Sequence, residues 1–309
     1  MDVFLLEDGR LRVGWRFALS VVVVVVAYYA AGTMAATFAG RHSHLEEFVY
    51  TLILMILLLG GFAGMTRIFD QPESGVAAYL GLPRARWVRQ VLAGALLGFV
   101  LVFLAIVFIA IFFKYHIVRI VLTPRTGDSA VLAAGAILAG AMAEELCFRG
   151  YPFQRLVEIA GKAGAIFVLS LLFGLVHLMN PHVSDSRAVE VFAFVNTILI
   201  GIVLALAYLR TRALWFPWGL HFSWNMTLGW IFGLPVSGMS DFAVLVRARV
   251  AGPDWLLGGG YGVEGGFLAT VVILLGLGYV LVLVRPAPGI PKAQLDGGAM
   301  AGIQPAGIV

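Results

Sequence analysis

The sequence predicts an all-α polytopic membrane protein, a bundle of about eight transmembrane helices that encloses a polar cavity within the membrane. Of the 309 residues, 61% are hydrophobic and only 12% are charged, whereas soluble domains carry about 25% charged residues. Uncharged apolar runs approach the length of about 20 residues that spans a bilayer core. Eight such runs occur, at Phe17–Gly40, Phe48–Thr66, Gln90–Phe113, Ser129–Ala143 (continuing beyond it), Ala163–Met179, Val191–Tyr208, Leu214–Leu234 and Phe267–Val284.

These runs predict three regions of chain. Residues 1–16 form a cytoplasmic amphipathic lead, residues 17–284 form a single transmembrane domain, and residues 285–309 form a disordered tail rich in Gly, Pro and Ala. Arginines precede the first span, which is also a feature of a cleaved secretory signal. The apolar core of this span is longer than the roughly 7–15 residues of a signal core, which favours a first helix that is retained.

The charged residues predict the orientation of the bundle. Of the 21 Lys and Arg residues, 14 fall on the side of the N-terminus and 7 on the other side when the eight spans alternate. By the positive-inside rule, this distribution places both termini in the cytoplasm. The expected location is a prokaryotic cytoplasmic membrane. The basic residues form no nucleic-acid footprint. The single cysteine, Cys147, excludes an intrachain disulfide and a cysteine-based metal site.

The fourth span continues into two adjacent glutamates, and charges at membrane depth are usually functional. Ala136, Gly140 and Glu144 share one helical row, whose small residues favour close packing against a neighbouring helix. Glu145 lies about 100° around the helix and is four residues from Arg149, the spacing of an intrahelical ion pair. Glu145 therefore has a predicted partner in its own helix, and Glu144 has none.

Helix lengths predict that the next polar residue lies level with Glu144. From Glu144 to Ile159 is 15 residues, about 22 Å of helix, and the chain climbs back by the same distance from Lys162 to His177. We expect Pro152 to kink the descending helix. A membrane histidine can also act only as an interhelical hydrogen-bond donor, but the shared depth favours a common site.

The seventh span repeats this pattern. His221 and Asn225 are spaced i, i+4 and reach the same layer, and Gly219 and Ser223 in the same helix permit close packing. His182 follows a proline between spans and is interpreted as an ordinary loop residue.

The predicted polar cluster has the groups that peptide hydrolysis requires, namely an activated water, an acid for the leaving amine and donors for the oxyanion. An unpaired carboxylate among apolar side chains makes Glu144 a suitable general base. His177 can orient the water, and His221 and Asn225 can donate to the oxyanion. Cys147 has no histidine base on its own helix, which disfavours a thiol protease.

Three motifs resemble those of the CPBP intramembrane protease family, which includes the CAAX prenyl endopeptidases and the Abi, bacteriocin-processing and immunity proteins. Glu144–Gly150 matches EExxFRG, Phe173–His177 matches FxxxH and His221–Asn225 matches HxxxN, within a protease core of about residues 88–234. The resemblance implies an eight-helix fold with a cavity open to the cytosolic leaflet.

For the site, the resemblance implies that Glu144 activates water with His177, while His221 and Asn225 support the oxyanion. Glu145 and Arg149 are then structural or assist the base. Phe173 is a candidate for substrate binding. The expected partners are a membrane-associated protein or peptide substrate, in some family members lipidated, and membrane lipid, without nucleic acid.

The metal requirement stays open at the sequence level, because family members are commonly called metalloproteases. Glu144, His177 and His221 would supply three zinc ligands. Neither histidine lies in a helical HExxH pair, and Asn225 would be a poor ligand. We therefore favour a metal-independent, glutamate-activated water, with zinc as the alternative.

Two other functions fit the sequence. A non-proteolytic membrane protein could bind a bacteriocin or another partner and confer immunity. A proton-coupled transporter could also use intramembrane Glu and His side chains, although the two halves of the chain show no evident repeat.

Overall fold

The computed structural model describes residues 3–5, 11–38, 43–121 and 123–286. This part of the chain is mainly helical. Its helices are α1 (Val13–Phe38), α2 (His44–Met65), α3 (Val76–Tyr79), α4 (Trp87–Phe112), α5 (Pro124–Arg149), α6 (Tyr151–His177), α7 (Arg187–Thr211), α8 (Trp215–Asn225), α9 (Asp254–Leu257) and α10 (Phe267–Leu283), and its strands are β1 (Lys114–Ile120) and β2 (Val246–Ala251). The predicted tail lies outside the described residues, apart from its first two positions.

The eight predicted spans all coincide with helices, and the fold is that of an all-α polytopic membrane protein. Within the described ranges, five stretches are long and apolar enough to cross a membrane, and one of these, Thr126–His177, contains both α5 and α6. Two spans are shorter than predicted. Helix α8 continues as a π-helical turn, Met226–Ile231, and α10 is an apolar helix of 17 residues.

Helix α8, which carries His221 and Asn225, lies directly against α4. A Cβ at Gly94 would overlap the carbonyl oxygen of Phe216, and a Cβ at Gly219 would overlap the carbonyl oxygen of Val91. Small residues permit this backbone-to-backbone contact between membrane helices. The sequence-predicted packing role of Gly219 is thus confirmed, and α4 fixes the position of α8.

Helix α5, which carries both glutamates, lies beside α2, and the two helices run in the same direction. Gly135 faces the ring of Phe48, and a Cβ at Gly140 would lie 3.3 Å from Cγ2 of Thr51. The row of small residues predicted on α5 therefore does face a neighbouring helix.

The chain breaks between α5 and α6 at Gly150, and the predicted kink at Pro152 is wrong. Pro152 lies in the first turn of α6, where the missing N–H is not needed for a helical hydrogen bond. A side chain at Gly150 would overlap the carbonyl oxygen of Leu146, so only glycine fits at this joint. A second interruption follows at Gly161, with φ 71°.

The segments predicted as loops before α5 and after α8 contain a small sheet. Strands β1 and β2 pair antiparallel, with Lys114 opposite Ala251, and the hydroxyl of Tyr115 donates to the carbonyl of Phe232 at 2.6 Å. We call the end of the bundle with this sheet the strand-bearing end. It also holds the turn after α6, because Asn180 donates to the carbonyl of Ser237.

The opposite end of the bundle holds a buried ionic network. Asp70, at the end of the π-helical turn after α2, accepts from Arg16 of α1 at 2.6 Å and from Arg155 of α6 at 2.7 Å. Tyr79 donates to the same carboxylate oxygen. Burial raises the pKa of Tyr79 to about 12. This network joins four elements, α1, the π-helical turn, α3 and α6, far from the predicted polar cluster.

Candidate active site

One cavity of about 300 Å³ brings the predicted site residues together. Glu144 of α5, His177 at the end of α6, and His221 and Asn225 of α8 all line it. Other lining residues come from α1, α2, α5, α7, the turn after α6 and the segment after α8; they include Tyr28, Glu47, Tyr50, Ala136, Gly140, Asn180, Asn196, Ser237, Met239, Phe242 and Glu264. The cavity therefore extends from mid-helix residues to the strand-bearing end.

Behind the cavity, Glu145 is fully buried and joins two partners. Its Oε1 atom accepts from Nη1 of Arg149 at 3.2 Å and from Nδ1 of His221 at 2.9 Å. Arg149 is also buried, and its Nη2 donates to the carbonyl of Gly201 on α7 at 3.1 Å. The predicted ion pair within α5 is present, and it is extended by a contact to α8 that the sequence did not indicate.

Glu144 faces the cavity and is not held as tightly. Its side chain is 31% exposed, and its Oε2 atom lies 3.6 Å from Nε2 of His221. This oxygen is buried and has no hydrogen-bond partner within the described part of the chain. The two adjacent carboxylates thus differ as helical phase predicts, and His221 lies between them.

His177 is oriented by its own helix. Its Nδ1 atom lies 2.8 Å from the carbonyl oxygen of Phe173. A carbonyl only accepts, so Nδ1 carries the hydrogen and Nε2 is left for the cavity. The buried Phe173 ring packs against the His177 ring, with centroids 4.4 Å apart, and lies 4.8 Å from the Arg149 guanidinium carbon. Phe173 therefore links His177 to the buried ion pair.

Asn225 presents an amide to the cavity. Its side chain makes no hydrogen bond with any residue in the ranges that the structure describes. The preceding residue, Trp224, donates through Nε1 to Oε1 of Glu264 at 2.8 Å. The other oxygen of Glu264 accepts from the backbone N–H and the hydroxyl of Ser237. The segment after α8 is thus attached to the helix that carries Asn225.

Sequence reasoning missed two carboxylates of this cavity, Glu47 and Glu264. Glu264 lies in the segment between the last two predicted spans, and no local pattern reveals its contact with Trp224. Glu47 lies at the start of a span, where an acidic residue is ordinary. Glu47 lies three residues before Tyr50 and four before Thr51, so the three side chains share one face of α2, and all three line the cavity. This spacing was the signal that the sequence offered for Glu47.

The zinc alternative can be compared with this geometry. The Nδ1 hydrogen bonds of His177 and His221 are of the kind that orients zinc-ligating histidines. Among the described residues, however, no group of three or more His, Cys, Asp or Glu side chains is placed to hold a metal ion. The donor set in this arrangement does not fit a resident zinc ion, and metal dependence stays a prediction. Cys147 is buried and unpaired, and His182 is a loop residue paired with Asp185.

The fold and the cavity define a polytopic membrane protein with a polar site of Glu, His and Asn side chains among its helices. Residues 126–227, about a third of the chain, match the family model described as type II CAAX prenyl endopeptidase Rce1-like. All three motifs lie inside the matched segment, and the match confirms the resemblance to the CPBP family. No curated protein and no solved structure matches the chain significantly.

Proposed function

We propose that this protein is an intramembrane endopeptidase that hydrolyses a peptide bond with a water molecule activated by Glu144. The observation that carries the proposal is the single cavity lined by Glu144, His177, His221 and Asn225, which come from three separate helices. The match of residues 126–227 to a prenyl endopeptidase model supports the same reaction class.

In the first step, Glu144 accepts a proton from water as the water oxygen attacks the peptide carbonyl carbon. The carboxylate suits this role because it faces the cavity and one of its oxygens has no hydrogen-bond partner in the described chain. His177 orients the same water through Nε2, since its Nδ1–H is engaged by the Phe173 carbonyl. General acid–base catalysis of this kind contributes roughly 10²–10⁴-fold in rate.

The resulting oxyanion requires donors, which His221 and Asn225 supply. Arg149 and a protonated His221 together balance the charges of Glu144 and Glu145. In that state His221 donates from Nδ1 to Glu145 and presents its Nε2–H to the cavity. The amide of Asn225 is the second donor. One missing oxyanion donor costs about 10²–10³-fold in turnover.

The reaction is completed when the carbon–nitrogen bond breaks and Glu144 returns its proton to the leaving amine. The products are a carboxylic acid and an amine, which ionise to a carboxylate and an ammonium group, so protons balance with water as the only co-reactant. We infer that the substrate is a membrane-associated protein or peptide. Prenylated substrates are the expectation that follows from the matched family model.

The test uses the full-length protein in lipid nanodiscs and a library of membrane peptides, with products identified by mass spectrometry. We expect cleavage by the wild-type protein and a loss of at least about 100-fold in Glu144→Gln and His177→Ala. His182→Ala is the matched control for the second variant, because His182 is a loop histidine outside the cavity lining. Cleavage that persists in both site variants would refute the proposal.

The same variants separate the alternatives. A non-proteolytic immunity protein would protect cells equally well with Glu144→Gln, provided that the variant is present in the membrane at the wild-type level. A proton-coupled transporter would move solute without producing peptide fragments.

A further inference from the structure

Glu47 is a carboxylate in the wall of the cavity that the proposed reaction does not use. Its side chain is half-buried and forms no ion pair or hydrogen bond with any residue in the described ranges. Asp241 and Glu46 interact with it electrostatically, and both are acidic. Glu47 therefore brings to the cavity wall a carboxylate that no side chain in the described ranges pairs with.

The helix start does not by itself explain this residue. Glu46 and Glu47 both lie in the first turn of α2, where acidic side chains complement the helix dipole. Only Glu47 of the two lines the cavity. Glu46 therefore serves as a matched control, because it has the same charge and lies in the same helical turn.

The packing of α2 on α5 gives the distance from Glu47 to Glu144. Thr51 contacts Gly140, and the two helices run in the same direction. Glu47 lies one turn before Thr51, and Glu144 lies one turn after Gly140. Each turn of four residues rises about 6 Å, so the two carboxylates are about 12 Å apart along the helix axes.

An extended peptide covers this distance in three to four residues, at about 3.3 Å per residue. The cavity wall contributed by α2 and α5 in this region includes Tyr50, Thr51, Ala136 and Gly140. A peptide that spans the two carboxylates would lie along this wall.

We propose that Glu47 is a specificity subsite for a positively charged residue, Lys or Arg, located three to four residues from the scissile bond of the peptide substrate. This inference rests on the proposed function, because the scissile bond is positioned by Glu144. Opposite charges across a binding site contribute mainly to the choice of partner. The subsite thus selects basic membrane peptides over neutral ones.

The test uses the full-length protein in nanodiscs and apolar membrane peptides with a single lysine, placed at each of six positions on either side of the cleaved bond. Matched peptides carry norleucine in place of lysine. For lysine three to four residues from the bond, we expect KM about tenfold lower than for the norleucine peptide. Glu47→Gln should abolish this preference, Glu47→Lys should reverse it in favour of a glutamate peptide, and Glu46→Gln should retain it.

A second measurement does not require chemistry. Binding of the same fluorescent peptides to Glu144→Gln should show the lysine preference, and binding to the Glu47→Gln, Glu144→Gln double variant should not. If cleavage depends on Glu144 but shows no lysine preference, or if the preference survives Glu47→Gln, the subsite is refuted and the proposed function stands. If cleavage does not depend on Glu144, the proposed function is refuted and the inference falls with it.

Discussion

The buried Arg149 gives a prediction whose size follows from its contacts. Arg149 is 1% exposed and holds Glu145 at 3.2 Å and the Gly201 carbonyl at 3.1 Å. Arg149→Met keeps most of the side-chain length but removes both donors and leaves His221 as the one remaining cation for the two carboxylates Glu144 and Glu145. Breaking a buried ion pair from one side costs about 3–5 kcal/mol. We expect the free energy of unfolding to fall by this amount.

Denaturant titration in mixed micelles measures that free energy for four proteins: the wild type, Arg149→Met, Glu145→Gln and the double variant that carries both substitutions. The second substitution removes the excess negative charge, so we expect the double variant to recover at least half of the lost stability. Peptide cleavage by the double variant should be lower than by the wild type, because the neutral amide of Gln at position 145 positions His221 less firmly than the carboxylate does. A loss below about 1 kcal/mol for Arg149→Met, or additive single effects, would refute the reasoning.

Three further predictions concern packing, metal and orientation. Gly94→Ala should reduce cleavage at least about 100-fold by displacing α8, the helix that carries the HxxxN motif. Gly278→Ala is the control, because a Cβ there has open space around it, and this variant should cleave at the wild-type rate. Equal rates for the two variants would contradict the packing argument. Cleavage should persist after treatment with a zinc chelator, and loss that added zinc restores would establish a metal enzyme. In a Cys147→Ala background, an impermeant maleimide should label Ser184→Cys in intact cells and Glu73→Cys only after lysis, and the reverse pattern would invert the predicted topology.

The orientation test matters because two expectations disagree. The cavity extends to the strand-bearing end, which the charge count places outside the cell, whereas the family resemblance implies a cavity open to the cytosolic leaflet. Three of the arginines counted on the inner side, Arg16, Arg149 and Arg155, are buried in ion pairs. These arginines neutralise carboxylates within the bundle and do not act as loop charges.

Much of the fold was predictable because the signals are local. Apolar runs define the spans, and helical periodicity separates Glu144 from Glu145 and pairs Glu145 with Arg149. Shared depth places His177 in the layer of Glu144. Each of these inferences needs only the rise and rotation per residue of an α-helix.

The remainder depends on contacts between distant parts of the chain. Glu145 contacts His221, which lies 76 positions later in the sequence. Helical phase shows which face of α5 carries Glu145, but it cannot show which other helix packs against that face. The strands were missed although Val246–Ala251 alternates apolar and basic residues, the pattern of a half-buried strand, because its partner lies more than a hundred residues earlier. The break at Gly150 was assigned to Pro152 because proline is the stronger local signal.

The first helix is joined to the rest of the protein at two depths. Arg16 enters the ion pairs of Asp70, and Tyr28, farther along α1, forms part of the cavity wall and meets the ring of Tyr50 with centroids 6.4 Å apart. Without α1, the cavity would lack its wall at Tyr28, and Asp70 would lose one of its two cations. The helix that the sequence allowed as a removable leader therefore closes one side of the cavity and neutralises a buried carboxylate at the opposite end of the bundle.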